Sequence, residues 1–252
     1  MLLKYGSKKK PPLLFIHGFL GCAEDFRPIM DHLKEDYLCL SLDLPKKCPT
    51  YPNLFPDMCS RLIPVLQEYS PVCAIGYSLG GRILFELAKQ KQIDIPLITL
   101  SSHLGLKTEK EKKERHQKDF AWAKKLQEMP FEKFLHKWYD QPLFEKLRSE
   151  KSIFQTMLER RKKYPTSPSL LTGLSLANQT YFDPTSYPRP ILFLYGEKDT
   201  KYLELYSSLP LVEEIPGASH SLHLEKPVYI SNIIQTFLRI HELARSDQIS
   251  RH

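Results

Sequence analysis

A serine, an aspartate and a histidine, each placed just after an apolar run, carry the chemistry legible in this chain. Ser78 is the centre of Gly76-Tyr77-Ser78-Leu79-Gly80, between the apolar run Val72-Cys73-Ala74-Ile75 and the helical pattern Gly81-Arg82-Ile83-Leu84-Phe85-Glu86-Leu87-Ala88. Strand, G-x-S-x-G and helix in that order predict a sharp turn that pushes the serine hydroxyl into a cleft. The flanking glycines let such a turn close without Cβ clashes. A serine hydroxyl is a weak nucleophile or base until a histidine takes its proton and a carboxylate orients that histidine. Both residues follow. Pro190-Ile191-Leu192-Phe193-Leu194-Tyr195 reads as a buried parallel strand, with Asp199 in the loop just past it. The run Leu211-Val212-Glu213-Glu214-Ile215-Pro216 leads into Gly217-Ala218-Ser219-His220. His223 is the alternative to His220, and Glu197 and Asp183 are the alternatives to Asp199; position relative to the strands favours His220 and Asp199.

The chain order Ser78, Asp199, His220 resembles that of the α/β-hydrolase fold. The resemblance implies an oxyanion hole built from two backbone amides. One belongs to the loop after the apolar strand Leu13-Leu14-Phe15-Ile16, in His17-Gly18-Phe19-Leu20-Gly21, and the other to the residue after the nucleophile. Phe19 and Leu79 are the corresponding donors. His17, which precedes that loop, is expected to be structural, and His103 to line or support the cleft.

The elements needed to position these residues can be read around them. Leu38-Cys39-Leu40-Ser41-Leu42 is a strand ending at Asp43, residues 57–69 suit a helix broken or kinked at Pro64, and Leu97-Ile98-Thr99-Leu100-Ser101 is the strand after the elbow helix. Such alternation predicts an α/β fold: a mostly parallel central sheet flanked by helices, with its site at the carboxyl ends of the strands. Residues 103–186 break the pattern. They are charged and helix-prone, with helices expected at about 109–127, 131–138, 142–163 and 168–178. The expected organisation is therefore a core of residues 1–102 and 187–252 with residues 103–186 inserted as a helical cap (lid). A closing helix is expected over 227–243, followed by a frayed polar tail from Arg245 to His252.

Composition narrows the function classes. The 252 residues, 42% of them apolar, suffice for one large domain with an insertion. No stretch reaches the roughly 18 apolar residues of a membrane span. Met1-Leu2-Leu3-Lys4-Tyr5-Gly6 opens no hydrophobic region long enough for a secretory signal. The five cysteines are scattered without C-x-x-C spacing, as expected of reduced thiols in a cytoplasmic protein; no metal site and no cofactor are indicated. The formal charge of +7 fits a solvated surface, or attraction of an anionic substrate or an acidic acyl-carrier protein. Neither stacking aromatics nor a helix-turn-helix accompanies the basic residues, so nucleic acid is not an expected partner. Whether the chain is a monomer or a homo-oligomer is not legible.

Four stretches resemble a narrower family, the 2-succinyl-6-hydroxy-2,4-cyclohexadiene-1-carboxylate synthases (MenH-like) of menaquinone biosynthesis. They are Gly76-Tyr77-Ser78-Leu79-Gly80-Gly81-Arg82; Ser101-Ser102-His103-Leu104-Gly105-Leu106 with Glu114-Arg115 and Asp119; Lys137-Trp138-Tyr139-Asp140-Gln141-Pro142-Leu143-Phe144; and Tyr195-Gly196-Glu197-Lys198-Asp199-Thr200-Lys201-Tyr202. The resemblance implies a lyase that eliminates pyruvate from 2-succinyl-5-enolpyruvyl-6-hydroxy-3-cyclohexene-1-carboxylate, with Ser78, activated by His220, as base. A substrate with three carboxylates needs fixed cations. Arg82 and Arg115 match the family at such positions, Trp138 and Tyr77 would supply a wall and a donor, and Arg161 or Arg160 a further cation. Each also has a plainer reading: Arg82 as a partner of Glu86, Arg115 as one more charge on a solvated helix, Trp138 as cap core. Two segments depart from the family, Lys46-Lys47-Cys48 where it usually has Gly-His-Gly, and Ser219 where it often has glycine. A carboxylesterase or thioesterase, including one acting on an acyl-carrier-protein ester, and a non-catalytic ligand-binding protein of the same fold are the alternatives.

Overall fold

The computed structural model describes residues 1–48 and 52–249, with side chains through His241. Among the described residues seven strands form one sheet: Leu2–Tyr5 (β1), Pro12–Ile16 (β2), Leu38–Leu42 (β3), Cys73–Tyr77 (β4), Leu97–Leu100 (β5), Ile191–Gly196 (β6) and Val212–Ile215 (β7). Their spatial order is β1-β3-β2-β4-β5-β6-β7. Every pairing is parallel except that of β1 with β3. The inner strands are buried on both faces, which is why β2, β4, β5 and β6 read as unbroken apolar runs rather than alternating ones.

Successive residues of β2 show how this works. Leu14 and Ile16 face one core with Leu62 and Ile83, whereas Leu13 and Phe15 face the other with Ile29 and Phe237. Helices Arg27–Leu33 (α1), Phe55–Tyr69 (α2) and Leu79–Lys89 (α3) cover the first half of the sheet. Between β5 and β6 lie Glu109–Glu128 (α4), Phe131–Tyr139 (α5), Glu145–Ser149 (α6), Lys151–Lys162 (α7) and Pro168–Gly173 (α8). Thr200–Tyr206 (α9), Leu222–Glu225 (α10) and Pro227–Ile249 (α11) follow β6 and β7. The segment between β5 and β6 has its own apolar cluster, with Phe134, Leu135, Leu147, Met157 and Leu158 packed around Leu20 and Leu224 of the sheet-bearing part.

Several expected elements take a different form. The helix expected over 142–163 is three pieces: a 3-10 turn opened by Pro142, α6 and α7. Glu150 leaves the helical region at ψ 71°, and the guanidinium of Arg148 turns back onto the carbonyls of Tyr139 and Gln141. These tertiary contacts outweigh helix propensity. The helix expected over 168–178 stops at Gly173 and resumes as a 3-10 turn at Leu176–Asn178, because the carbonyl of Leu174 accepts from Arg82 instead of continuing a helical ladder. Pro64 does not end α2, which runs unbroken to Tyr69. Its exposed position lets water take the Ser60 carbonyl that it cannot bond. The closing helix extends to Ile249; residues 250–252, the end of the expected tail, lie outside the described residues.

Candidate active site

The elbow around Ser78 is built by close backbone approach. Ser78 has φ 49° and ψ −106°, a left-sided conformation that costs an L-residue energy and persists only where the surroundings over-determine it. The surroundings here are tight. A Cβ on Gly80 would lie 2.0 Å from the Ile16 carbonyl oxygen, and one on Gly76 would lie 2.5 Å from the Gly81 backbone. The Ser78 N–H donates to the Leu100 carbonyl at 2.8 Å, which ties the turn to the next strand.

Asp199 stands in the β6–α9 turn and His220 in the loop after β7, both largely buried. His220 Nδ1 lies 2.7 Å from Asp199 Oδ2, and Nε2 lies 3.3 Å from Ser78 Oγ. With the Nδ1 hydrogen given to the carboxylate, Nε2 is left as the acceptor for the serine hydroxyl. Asp199 and His220, which lie 121 and 142 positions after Ser78 along the chain, thus form one hydrogen-bond series with it, from Asp199 through His220 to Ser78. The imidazole is walled by Tyr77, Tyr202 and, from the segment before α6, Phe144, whose ring meets it edge-on at 6.0 Å.

The alternative acid and histidine positions are occupied otherwise. Glu197 accepts from the Gly217 N–H at 2.6 Å, and Asp183 caps the turn after it through Thr185 at 3.0 Å. His223 is sealed against Tyr77, with ring centroids 4.0 Å apart, and burial pushes its imidazolium down to about 3. Its ring nitrogens have no hydrogen-bond partner among the described residues.

Phe19 and Leu79 line the same cavity as Ser78. Leu79 opens α3, so its amide is among the first-turn N–H groups that a helix leaves without a carbonyl. Phe19 lies in a turn closed by the Gly21 N–H donating to the Gly18 carbonyl at 2.9 Å. His17 supports that turn. Its Nδ1 is 2.8 Å from the Gly18 carbonyl and its Nε2 2.9 Å from the Leu44 amide. A neutral ring, donating at Nδ1 and accepting at Nε2, satisfies both, and burial holds its imidazolium well below the usual range.

The cavity has a volume of about 800 Å³ and also receives Tyr77, Arg82, Arg115, Trp138 and Arg161. Arg82 is buried on α3. Its Nε donates to Gln179 Oε1 at 2.7 Å, Nη2 donates to the Leu174 carbonyl at 2.9 Å, and its plane lies over Phe55. These acceptors are neutral, and no carboxylate, Glu86 included, pairs with Arg82 among the described residues. Burial, with the nearby charge of Arg115, pushes the guanidinium down to about 9. Arg115 on α4 donates from Nε to both Asp119 oxygens at 2.9 Å. Arg161 on α7 is fully engaged by Asp25, Nη1 reaching Oδ1 at 2.8 Å, so it reaches the cavity with its charge already matched. Arg160 donates to the Glu24 carbonyl at 2.9 Å and also stands 3.6 Å from Asp25 Oδ1, a second and more exposed counter-charge for that carboxylate. Trp138 packs against Phe19, tilted, and against Trp122, edge-on, each with centroids 5.0 Å away, and so is at once a cavity wall and part of the cluster between β5 and β6. The Tyr77 hydroxyl lies 3.3 Å from Ser221 Oγ. His103 lines the cavity, accepts from the Gly105 N–H at 3.0 Å, and is pushed down to about 3 by burial.

Sequence reading did not single out Lys118 and Lys201, which also line the cavity. Lys201 lay in a stretch already noted, two residues past Asp199, and that position was the available signal. Lys118 gave none, since it is one of many lysines on a charged helix. No group of three or more His, Cys, Asp and Glu suited to a metal occurs among the described residues, nor any helix long and apolar enough to cross a membrane.

Fold and hydrogen-bond series together define a class: an enzyme of the α/β-hydrolase fold. Comparison with known proteins agrees. The model of the Alpha/beta hydrolase family matches residues 13–231. A Haemophilus influenzae protein, provisionally named a 2-succinyl-6-hydroxy-2,4-cyclohexadiene-1-carboxylate synthase, is 34% identical over 88% of this chain and 95% of its own. The Enterobacter sp. protein of that name is 30% identical over 93% of this chain and 94% of its own. Among solved structures, MenH from S. aureus superposes with a TM-score of 0.85 at 24% identity, covering 96% of this chain and 98% of that one. A thermophilic esterase from Thermogutta terrifontis superposes at 0.75 with 16% identity, covering 95% and 92%. The chain belongs to the alpha/beta hydrolase family, within its MenH-like branch.

Proposed function

We propose that this chain is a lyase of menaquinone biosynthesis that eliminates pyruvate from 2-succinyl-5-enolpyruvyl-6-hydroxy-3-cyclohexene-1-carboxylate. The observation that carries the reading is Arg82, a buried guanidinium one helical turn past Ser78 that lines the same cavity and has only neutral hydrogen-bond acceptors of its own. An unmatched buried charge is costly, and an anionic ligand relieves that cost. Ester hydrolysis of a neutral substrate has no use for it. The names carried by the 34% and 30% identical relatives support the same reading.

The chemistry follows from the substrate's own bonds. The hydrogen at ring carbon 2 is acidified by the adjacent succinyl ketone. Ser78 Oγ takes that proton as His220 Nε2 takes the serine's, with Asp199 stabilising the imidazolium that forms. The electron pair forms the bond between carbons 2 and 3, the existing double bond moves to carbons 4 and 5, and the carbon 5–oxygen bond breaks. His220 returns a proton to the departing enolpyruvate, which ketonises to pyruvate. Charge that develops on the succinyl oxygen is received by the amides of Phe19 and Leu79, a contribution of typically ~3 kcal/mol per donor. No acyl-enzyme forms. Arg82 and Arg115 would hold substrate carboxylates, Trp138 and Tyr77 the ring, and residues 103–186 would act as the cap that excludes water. Phe144 against His220 and Trp138 against Phe19 support that role.

The test is pyruvate release by the purified protein from the enolpyruvyl substrate. Ser78→Ala should lower kcat by about a thousandfold with unfolding unchanged. Turnover of a p-nitrophenyl ester without pyruvate release would transfer the site to ester or thioester hydrolysis, and absence of both activities with ligand binding indifferent to Ser78→Ala would point to a binding protein.

A further inference from the structure

The loop that carries Phe19 is held in an unfavourable conformation. Leu20 has φ 60°, in the left-handed region that β- and γ-branched side chains seldom occupy. Such a residue stays in place only when its neighbours leave no alternative. Three of the fastenings come from residues already described or adjacent: the Gly21 N–H closes onto the Gly18 carbonyl, His17 supports that carbonyl, and Asp25 Oδ2 accepts from the Cys22 N–H at 3.0 Å. The Gly21 carbonyl accepts from the half-buried ammonium of Lys46.

Lys46 lies in the segment after β3, where the sequence departs from its family. Its own carbonyl accepts from the Ser167 N–H at 2.8 Å, and the Cys48 carbonyl accepts from Ser169 Oγ at 3.1 Å. One short segment therefore touches the oxyanion-side loop with a side chain and the start of α8 with its backbone. We propose that Lys46 is a positioning residue: its ammonium fixes the Gly21 carbonyl, holds the Gly18–Cys22 turn with Leu20 strained, and so keeps the Phe19 amide aimed at the reacting oxygen. The catalytic half of this inference rests on the Ser78-centred reading of the site; the structural half does not.

The charged and titratable groups that influence the Lys46 ammonium are His17 at the end of β2, Cys22 and Asp25 in the turn before α1, Asp43 after β3 and Arg161 on α7. Burial, followed by the charge of Arg161, pushes it down to about 8. A neutral amine is a weaker donor than an ammonium, so the fastening loosens as pH rises past that point.

The experiment compares wild type with Lys46→Met, Lys46→Arg and, as a control for the loss of one charge, the exposed neighbour Lys47→Met. Hydrogen exchange read by mass spectrometry on the peptide spanning residues 18–22 should be about tenfold faster in Lys46→Met, and near wild type in Lys46→Arg and Lys47→Met. Kinetics on the enolpyruvyl substrate should show kcat about tenfold lower in Lys46→Met with KM within twofold, as expected when a transition-state contact is misplaced. A fall in wild-type kcat above about pH 8 should be absent in Lys46→Arg. Unchanged exchange in Lys46→Met overturns the proposal, as does unchanged kcat beside faster exchange, or failure of Lys46→Arg to restore either. If the wild type releases no pyruvate yet exchange responds as stated, the function assignment fails while the positioning of the loop by Lys46 stands.

Discussion

Replacing Arg161 by methionine should be one of the most damaging single changes outside the sheet, and the reason is Asp25. The two side chains are 5% and 1% exposed and pair through parallel bonds, Nη1 to Oδ1 at 2.8 Å and Nη2 to Oδ2. Removing Arg161 leaves the buried Asp25 carboxylate with only the more exposed Arg160, 3.6 Å from Oδ1, as counter-charge, at about 3–5 kcal/mol. For a chain of 252 residues, each kcal/mol moves Tm by about 2–4 °C, so Arg161→Met should melt about 6–20 °C below wild type. The double variant Asp25→Leu, Arg161→Met should regain most of that, short by about 1 kcal/mol because the Cys22 N–H loses its acceptor. The pH dependence has a definite sign. Burial alone would raise the Asp25 carboxyl, but Arg161 more than offsets it and holds it well below the usual range. In wild type, stability from this group is therefore present above the unfolded carboxylate pKa and lost as pH falls towards the folded one. Without Arg161 the carboxyl loses its main counter-charge and the downward shift shrinks, so acid costs the variant less than wild type and its deficit should narrow as pH falls below the unfolded carboxylate pKa. Thermal and urea unfolding followed by circular dichroism reads all of this. A single variant within about 1 kcal/mol of wild type, or a double variant no better than the single, would refute the buried-pair argument. Lost activity at unchanged Tm would instead make Arg161 a ligand for substrate.

Arg82→Ala and Arg115→Ala should each lower kcat/KM for the three-carboxylate substrate by about 2–3 kcal/mol of transition-state binding, or ~30–150-fold, while barely changing turnover of a neutral ester. Equal losses on both substrates in steady-state kinetics would contradict an anion clamp. Gly80→Ala should fail to accumulate as folded protein, since its Cβ would sit 2.0 Å from the fixed Ile16 carbonyl oxygen. Soluble yield and near-ultraviolet circular dichroism close to wild type would show that the elbow is looser than described.

The parallel strands and the three residues around His220 were legible because their signals are local. A strand buried on both faces is an apolar run, and β2, β4 and β6 end next to Phe19, Ser78 and Asp199. β1 was not legible: it is a four-residue edge strand, only partly buried, whose pairing with β3 depends on residues some forty positions away. The breaks in the charged segment were hidden for a similar reason. Arg148 reaches back nine and seven residues to the carbonyls of Tyr139 and Gln141, a side-chain bond that helix periodicity does not register, and Arg82 reaching the Leu174 carbonyl is a tertiary bond that no window of neighbouring residues contains. The pairing of Arg161 with Asp25 spans 136 positions. Arginines could be nominated from sequence, but which of them keeps a free charge depends on where the acids fold.

Ten of the eleven residues of α3 are buried, so Arg82 is carried by an interior helix rather than by a flexible arm. Its orientation is settled once, when the chain folds, and needs little rearrangement as a ligand arrives. The cations opposite it, Arg115 and Lys118 on α4, stand on a helix with one face in water. Ligand preference is therefore unevenly adjustable. Redesign towards a smaller or less acidic molecule has room on α4, where side chains can be exchanged without opening the sheet, and almost none on α3, where the same exchange would disturb the packing that holds the serine turn closed.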